Sequence, residues 1–261
     1  MILDYDISTI EPYINWSYFY YAWQLKDASQ HPVIRREAEE FLHDVSSRYK
    51  AHALFRLVDV HSDGDDIVID DDGERLVLLR QQTSDSHYLC LSDFISPKHD
   101  RMGLFATSVD VGMETDFDGD PYAKMMAQLL ADRLAEAAAE RMHEEVRTHY
   151  WGYAKDEHLT IDELHCERFQ GIRPAVGYPS LPDASMNFQL DRLLDMKQIG
   201  IRLTESGAMH PHASVSGLMI SHPAARYFSI GMVGDDQLRD YARRRAVPVE
   251  VAKRFLAGNL Q

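Results

Sequence analysis

Apolar residues recur along this chain in two rhythms. Between Asp120 and Tyr150 they fall at Met125, Met126, Leu129, Leu130, Leu134, Ala138, Met142 and Val146, the three-and-four spacing of a helix with one buried face. Asp120 followed by Pro121 marks its start, since Asp caps a helix well and Pro suits the first turn. A second helix is predicted from Pro32 to about Lys50, with Phe41, Leu42 and Val45 on its apolar side. Thr160 and Glu163 have the capping-box spacing of a short helix that ends before Arg173. Helices follow around residues 186–197, 235–244 and 249–256. The rhythm shortens between Ala53 and Leu91, where β-rich runs at 54–60, 67–69, 76–79 and 88–91 are split by Asp/Gly turns, as in an antiparallel meander. Further strands are predicted over 102–109, 215–220 and 227–232. Residues 13 to 23 hold seven aromatics in eleven positions, a density that predicts burial. Strands and helices do not alternate strictly, so the class is α+β with a mostly antiparallel sheet and flanking helices, one domain over 1–261.

Composition narrows the function classes. With 261 residues, 45% of them hydrophobic and 26% charged, the chain can bury a substantial core, and disorder is not expected. No stretch approaches the length and apolarity of a membrane span and no secretory leader is legible, so a cytoplasmic protein with no membrane partner is expected. Cys90 and Cys166 are too few for an iron–sulfur or four-cysteine zinc site and read as reduced thiols. A formal charge of −15 argues against nucleic acid, whose phosphates would be repelled. The charge is uneven: seven acids lie between Asp63 and Glu74, against basic spots at Arg35-Arg36 and Arg243-Arg244-Arg245. These runs read as solvated faces that can also steer a charged protein partner.

One segment carries candidate chemistry. In Gln170-Gly171-Ile172-Arg173-Pro174-Ala175-Val176-Gly177-Tyr178-Pro179 a guanidinium sits in a backbone bent by two prolines and two glycines. Arg matches a carboxylate with a planar fork of donors, Gly admits close backbone approach, and Tyr178 offers a ring with a polar tip. A small zwitterion is a plausible occupant of such a loop. No Gly-x-Gly-x-x-Gly, phosphate loop or Gly-x-Ser-x-Gly occurs.

The same segment resembles the Arg-x-x-x-Gly-Tyr motif of the S-adenosylmethionine-binding activation domain of cobalamin-dependent methionine synthase. The resemblance continues through Leu203-Thr204-Glu205-Ser206, Ala213-Ser214-Val215-Ser216-Gly217, Ser221-His222-Pro223, Tyr227 and Asp240-Tyr241-Ala242-Arg243-Arg244. Upstream it includes Ala131-Asp132-Arg133-Leu134-Ala135-Glu136 and Tyr150-Trp151-Gly152-Tyr153-Ala154. It is looser at Tyr13-Ile14-Asn15-Trp16, Leu79-Arg80-Gln81-Gln82 and Leu91-Ser92-Asp93-Phe94, and covers nearly the whole chain in collinear order. It implies a bent antiparallel sheet. It also implies that Arg173 partners the methionine carboxylate, that the backbone of Ala175 and Gly177 and the side chain of Tyr178 lie near the nucleoside, and that Tyr227 and Phe228 contact the adenosyl group. Phe228 stands where the family commonly has a second Tyr, and Asn15 where it usually has an Asp that accepts from the ligand ammonium. Asn retains one acceptor but no charge. Glu136 and Glu167 match acids near the family's site, where they could favour a sulfonium, or they are solvated helix-face acids.

By this resemblance the chain is a methyltransferase component for methionine biosynthesis. It would bind S-adenosylmethionine for the reductive methylation of cob(II)alamin, meeting cobalamin only through a partner protein. The implied partners are the cobalamin-binding module of methionine synthase and a one-electron donor such as flavodoxin or ferredoxin. No catalytic side chain and no metal ligand is expected. Neither a cobalamin module nor a homocysteine or folate barrel is legible, so the leading expectation is a free-standing subunit acting in trans, or an excised domain. The competing expectation is a non-catalytic S-adenosylmethionine sensor or assembly partner of a corrinoid methyltransferase. Two decoys fall away. Asp59-x-His61-x-x-Gly64 fits the pattern of cobalt-ligating modules, yet its flanks read as a hairpin and no Gly-Gly pair completes the set. His210-Pro211-His212 with His222, and Asp116-x-Asp118-x-Asp120, lack the further ligands of a zinc or calcium site.

Overall fold

In the computed structural model, which describes residues 1–82 and 88–260, the chain enters through β1 (Ile2–Asp6), a one-turn helix α1 (Ile7–Ile10), α2 (Trp16–Ala22) and α3 (His31–Val45). Strands β2 (Lys50–Asp63), β3 (Asp66–Ile69), β4 (Arg75–Val77) and β5 (Asp100–Val109) follow. Beyond α4 (Gly112–Thr115) lie the long α5 (Pro121–Glu145), α6 (Ile161–His165) and α7 (Met186–Leu194). A small ribbon of β6 (Arg202–Leu203) and β7 (Met209–His210) precedes β8 (Ser214–Met219), α8 (Asp235–Arg244) and α9 (Val249–Phe255).

The main sheet runs β4-β3-β2-β5-β8 with antiparallel neighbours throughout. β2 is long enough to serve two partners on one edge, β1 at its start and β3 at its end, while β5 runs along the other. Both faces are covered. Ala51, Ala53, Phe55, Phe105 and Met219 pack with Leu42, Leu130, Leu134 and Met142 of the helices on one side; Leu54, Val58, Val60, Leu104 and Leu218 pack with Leu190, Met196 and Ile199 on the other. Burial on both faces explains why these strands read as apolar runs without alternation. A further cluster joins Leu79, Ile230 and Val233 to Leu238, Tyr241 and Leu256 around α8 and α9.

The cap of α5 forms as predicted: Asp120 Oδ1 accepts from the amides of Tyr122 at 2.9 Å and Ala123 at 3.2 Å. Alanines 127, 131, 135 and 138 are buried in this helix and bring it close enough to the sheet for Thr107 Oγ1 of β5 to donate to the Ala135 carbonyl at 2.9 Å. Beyond Glu145 a wider π-helical turn (Val146–Tyr150) completes the predicted span. The capping box is present too, with Thr160 Oγ1 accepting from Glu163 N and Glu163 Oε2 from Thr160 N.

Several expectations are corrected. Residues 88–91 form no strand: the Leu89 amide donates to Gln81 Oε1 and that of Cys90 to Asp93 Oδ2, and a 3-10 turn begins at Leu91. Residues 227–232 form none either: Ile230 is buried in the cluster around α8 and α9, Phe228 lies between that cluster and the one under the sheet, and the Ile230 amide donates to Pro179 O. The helix predicted to Lys197 stops at Leu194, where Asp195 turns left-handed (φ 54°), and α3 stops at Val45 to leave room for the turn into β2. The aromatic segment is only half buried. Phe19 is enclosed, but Tyr18 and Tyr21 are 58% and 84% exposed, since a seven-residue helix has one face to give to the core. The Asp59–Gly64 stretch is a hairpin, with Gly64 at φ 62° in its turn. Cys90 is buried and Cys166 exposed, both unbridged. Among the described residues no helix is long and apolar enough to cross a membrane, and no group of three His, Cys, Asp or Glu is arranged to hold a metal ion.

Candidate functional site

The Arg173 segment, read from sequence as a loop, runs antiparallel alongside β8. Ile172 N donates to Ile220 O and Ile220 N to Ile172 O, both at 2.9 Å; Leu218 N donates to Pro174 O at 3.0 Å and Val176 N to Ser216 O at 2.9 Å. The approach is close because Gly217 has no side chain: a Cβ there would lie 2.2 Å from Pro174 O. Ile172 is buried in the core, while Arg173, Pro174 and Ala175 line a cleft against α5. Gly177 adopts φ 88°, and its amide closes the next turn on Leu181 O at 2.8 Å.

The cleft has a volume of about 780 Å³ and is walled by α5, the ends of α2 and α6, the Arg173 segment and the Tyr227 loop. Arg173 anchors its floor. Nη1 donates to the Ala139 carbonyl at 3.0 Å, Nη2 to Glu140 Oε2 at 3.1 Å, and the Arg173 amide to the Tyr227 hydroxyl at 2.8 Å. Burial works against the guanidinium charge, but Glu140 outweighs it and the group is held charged. One turn along α5, Glu136 Oε1 accepts from the Tyr178 hydroxyl at 2.9 Å, and burial followed by that carboxylate pushes the phenol up to about 12. The phenol is therefore a donor at neutral pH. At the rim, burial raises the pKa of Glu167, and Arg173 only partly offsets the rise. The result is a partly apolar cleft carrying Arg133 and Arg173 against Glu136, Glu140 and Glu167. Such a site suits a ligand with charges of both signs.

The sequence profile of the vitamin B12-dependent methionine synthase activation domain matches residues 6–246. The chain belongs to this family. A solved structure, the crystal structure of the MetH reactivation domain bound to AdoHcy, is 37% identical and superposes with a TM-score of 0.93, covering 100% of this chain and 90% of that one. The curled antiparallel sheet with its flanking helices is thus the activation-domain fold.

Of the positions read from the activation-domain motifs, Asn15, Glu136, Glu167, Arg173, Ala175, Tyr178, Tyr227 and Phe228 line the one cleft. Gly177 does not; it shapes the turn that presents Tyr178. Asn15 is the N-cap of α2, and its Oδ1 accepts from Ser17 N at 3.2 Å. Phe228 leans on Phe94, ring centroids 6.5 Å apart. Sequence reasoning missed Glu140, Tyr18, Tyr21 and His165, which also line the activation domain's cleft. The signal was present in the spacing: Glu136 and Glu140 are four apart on α5, Tyr18 and Tyr21 three apart on α2, so each pair shares a helix face.

Proposed function

We propose that this activation domain, as one domain over 1–261, binds S-adenosylmethionine in the cleft and holds it for methyl transfer to a cobalamin carried by another module. The observation that carries this reading is Arg173, fixed at the cleft floor by α5. Two of the five N–H donors of its guanidinium go to Ala139 and Glu140, which leaves others for a ligand carboxylate. Ala175, Tyr178, Tyr227 and Phe228 supply wall and ring faces for a nucleoside, and Glu136 and Glu167 place negative charge where a sulfonium gains from it. S-adenosylmethionine brings its own electrophilic methyl group and the cobalt its own nucleophile, so the protein's task is to orient the ligand and exclude water. That the related reactivation domain was solved bound to AdoHcy supports a ligand of this class for this chain.

Calorimetric titration tests the site. The unsubstituted protein binds S-adenosylmethionine, and Arg173→Ala loses about 1.5–3 kcal/mol, roughly ten- to hundredfold in affinity. No heat and no thermal shift at millimolar ligand overturns the assignment. The finer proposal is action in trans on a separate cobalamin module, fed by a one-electron donor such as flavodoxin or ferredoxin in the cytoplasm. Incubation with a partner in the cob(II)alamin state, a reductant and S-adenosylmethionine then yields the methylcobalamin spectrum, and the Arg173→Ala protein does not. The neutral Asn15 and the hydroxyl-free Phe228 favour the competing sensor reading. Demonstrated binding of ligand and partner without methyl transfer under several reductants would select it.

A further inference from the structure

We infer that Glu140, not Asn15, is the acceptor for the ligand's ammonium group. The inference rests on the S-adenosylmethionine reading above and extends it to the amino-acid end of the ligand. An α-amino acid carries its carboxylate and ammonium on one carbon, so the two protein groups that read them must be neighbours. Among the described residues Arg173 has one such anionic neighbour in hydrogen-bond contact, Glu140, at 3.1 Å. The other cleft acids are differently placed. Glu136 is engaged by the Tyr178 hydroxyl and lies 3.4 Å from Arg133, and Glu167 is an exposed residue at the rim.

Glu140 also has capacity to spare. Its side chain is 12% exposed, Oε2 is taken by Arg173, and Oε1 is buried with no hydrogen-bond partner among the described residues. A buried carboxylate oxygen without a donor is costly. Glu140 is among the residues that line the cleft, so a small rotation of its carboxylate would present Oε1 to a donor of the ligand. Asn15 offers less: it carries no charge, and its Oδ1 already accepts from Ser17 N in capping α2, which leaves a single neutral lone pair. With Glu140 as acceptor the ligand closes a ring of alternating charge, carboxylate to Arg173, Arg173 to Glu140, Glu140 to ammonium. The charge that an Asp at position 15 would bring is then supplied from α5.

The test is titration of S-adenosylhomocysteine and of its des-amino analogue into the unsubstituted protein, Glu140→Gln and Asn15→Ser. Serine keeps a capping oxygen. Glu140→Gln is expected to weaken S-adenosylhomocysteine about tenfold more than it weakens the des-amino analogue, whose loss reports only the changed hold on Arg173. Asn15→Ser is expected to affect the two ligands to the same extent, within about twofold of each other. Equal losses for the two ligands in Glu140→Gln would mean that Glu140 serves only to hold Arg173, and the inference is overturned. A loss confined to Asn15→Ser overturns it as well. If the unsubstituted protein binds neither ligand, the site reading itself fails, and this assignment with it. Should Glu140→Gln not fold, the unsubstituted protein gives a second readout by resonance of an isotopically labelled ligand amino group. Beside a buried carboxylate the bound amine titrates at higher pH than the free ligand, whereas beside a neutral amide it does not.

Discussion

One turn beyond Glu140 on α5, His143 is wholly enclosed, its ring edge on Phe169 at 5.0 Å and neither nitrogen hydrogen-bonded among the described residues. Burial, reinforced by Arg147 and Arg173, holds its pKa well below the ordinary 6.5. Below pH 6.5 the unfolded chain therefore takes up a proton at this position that the folded chain refuses. Stability then falls by about 1.4 kcal/mol per pH unit as the solution is acidified. Replacing His143 by Leu should flatten the acid limb of a urea-denaturation profile. His52 has the opposite sign. Burial lowers its pKa, but hydrogen bonds to Asp4 at 2.6 Å and Asp110 at 3.1 Å outweigh it and the net shift is upward. Its contribution is fully present below 6.5 and fades as pH rises through the folded value. His52→Gln should accordingly shift the urea midpoint more in mildly acidic than in alkaline buffer.

Elements whose ends are fixed by local side-chain chemistry were legible in the sequence. The Asp120 cap is one, and Asp120→Ala should cost about 1 kcal/mol in urea denaturation. The Thr160–Glu163 box is another, because a cap needs only residues three apart in sequence. What escaped were elements decided by distant partners. The apolar residues at 88–91 and 227–232 have strand-like composition, yet the Leu89 and Cys90 amides are taken by the side chains of Gln81 and Asp93, and the Ile230 amide by Pro179 O. The pairing of Ile172 through Val176 with β8 was equally hidden, since two prolines and two glycines read as a loop. The motif residues of the cleft were legible through the family resemblance, whereas Glu140 was signalled only by its four-residue spacing from Glu136, and its contact with Arg173 depends on which face of α5 meets that residue. Gly217→Ala tests the β8 contact. A methyl group 2.2 Å from Pro174 O must push the segment outward, and overpacking of this kind costs about 1–3 kcal/mol. Ligand affinity should fall with it, measurable by the same calorimetry although residue 217 is not among the cleft-lining side chains.

At the scale of the whole molecule, the cleft draws its walls from segments far apart in sequence, α2, α5, α6, the Arg173 segment and the Tyr227 loop. A ligand that bridges them stabilises the native state without binding the unfolded chain. S-adenosylhomocysteine at about one hundred times its dissociation constant should add about 2.7 kcal/mol and raise Tm by several degrees. The Arg173→Ala protein should lose about half of that rise or more at the same concentration. The strand-like pairing beside β8 has a different kind of consequence, for sequence length. Because Ile172 faces the core and Arg173 the cleft, adding or deleting one residue there would point the guanidinium into hydrocarbon and the isoleucine into water. Substitutions along this stretch adjust affinity by degrees. An insertion or deletion would remove the Arg173 guanidinium from the cleft at a stroke, so the number of residues from Gly171 to Val176 matters more here than most of the letters between them.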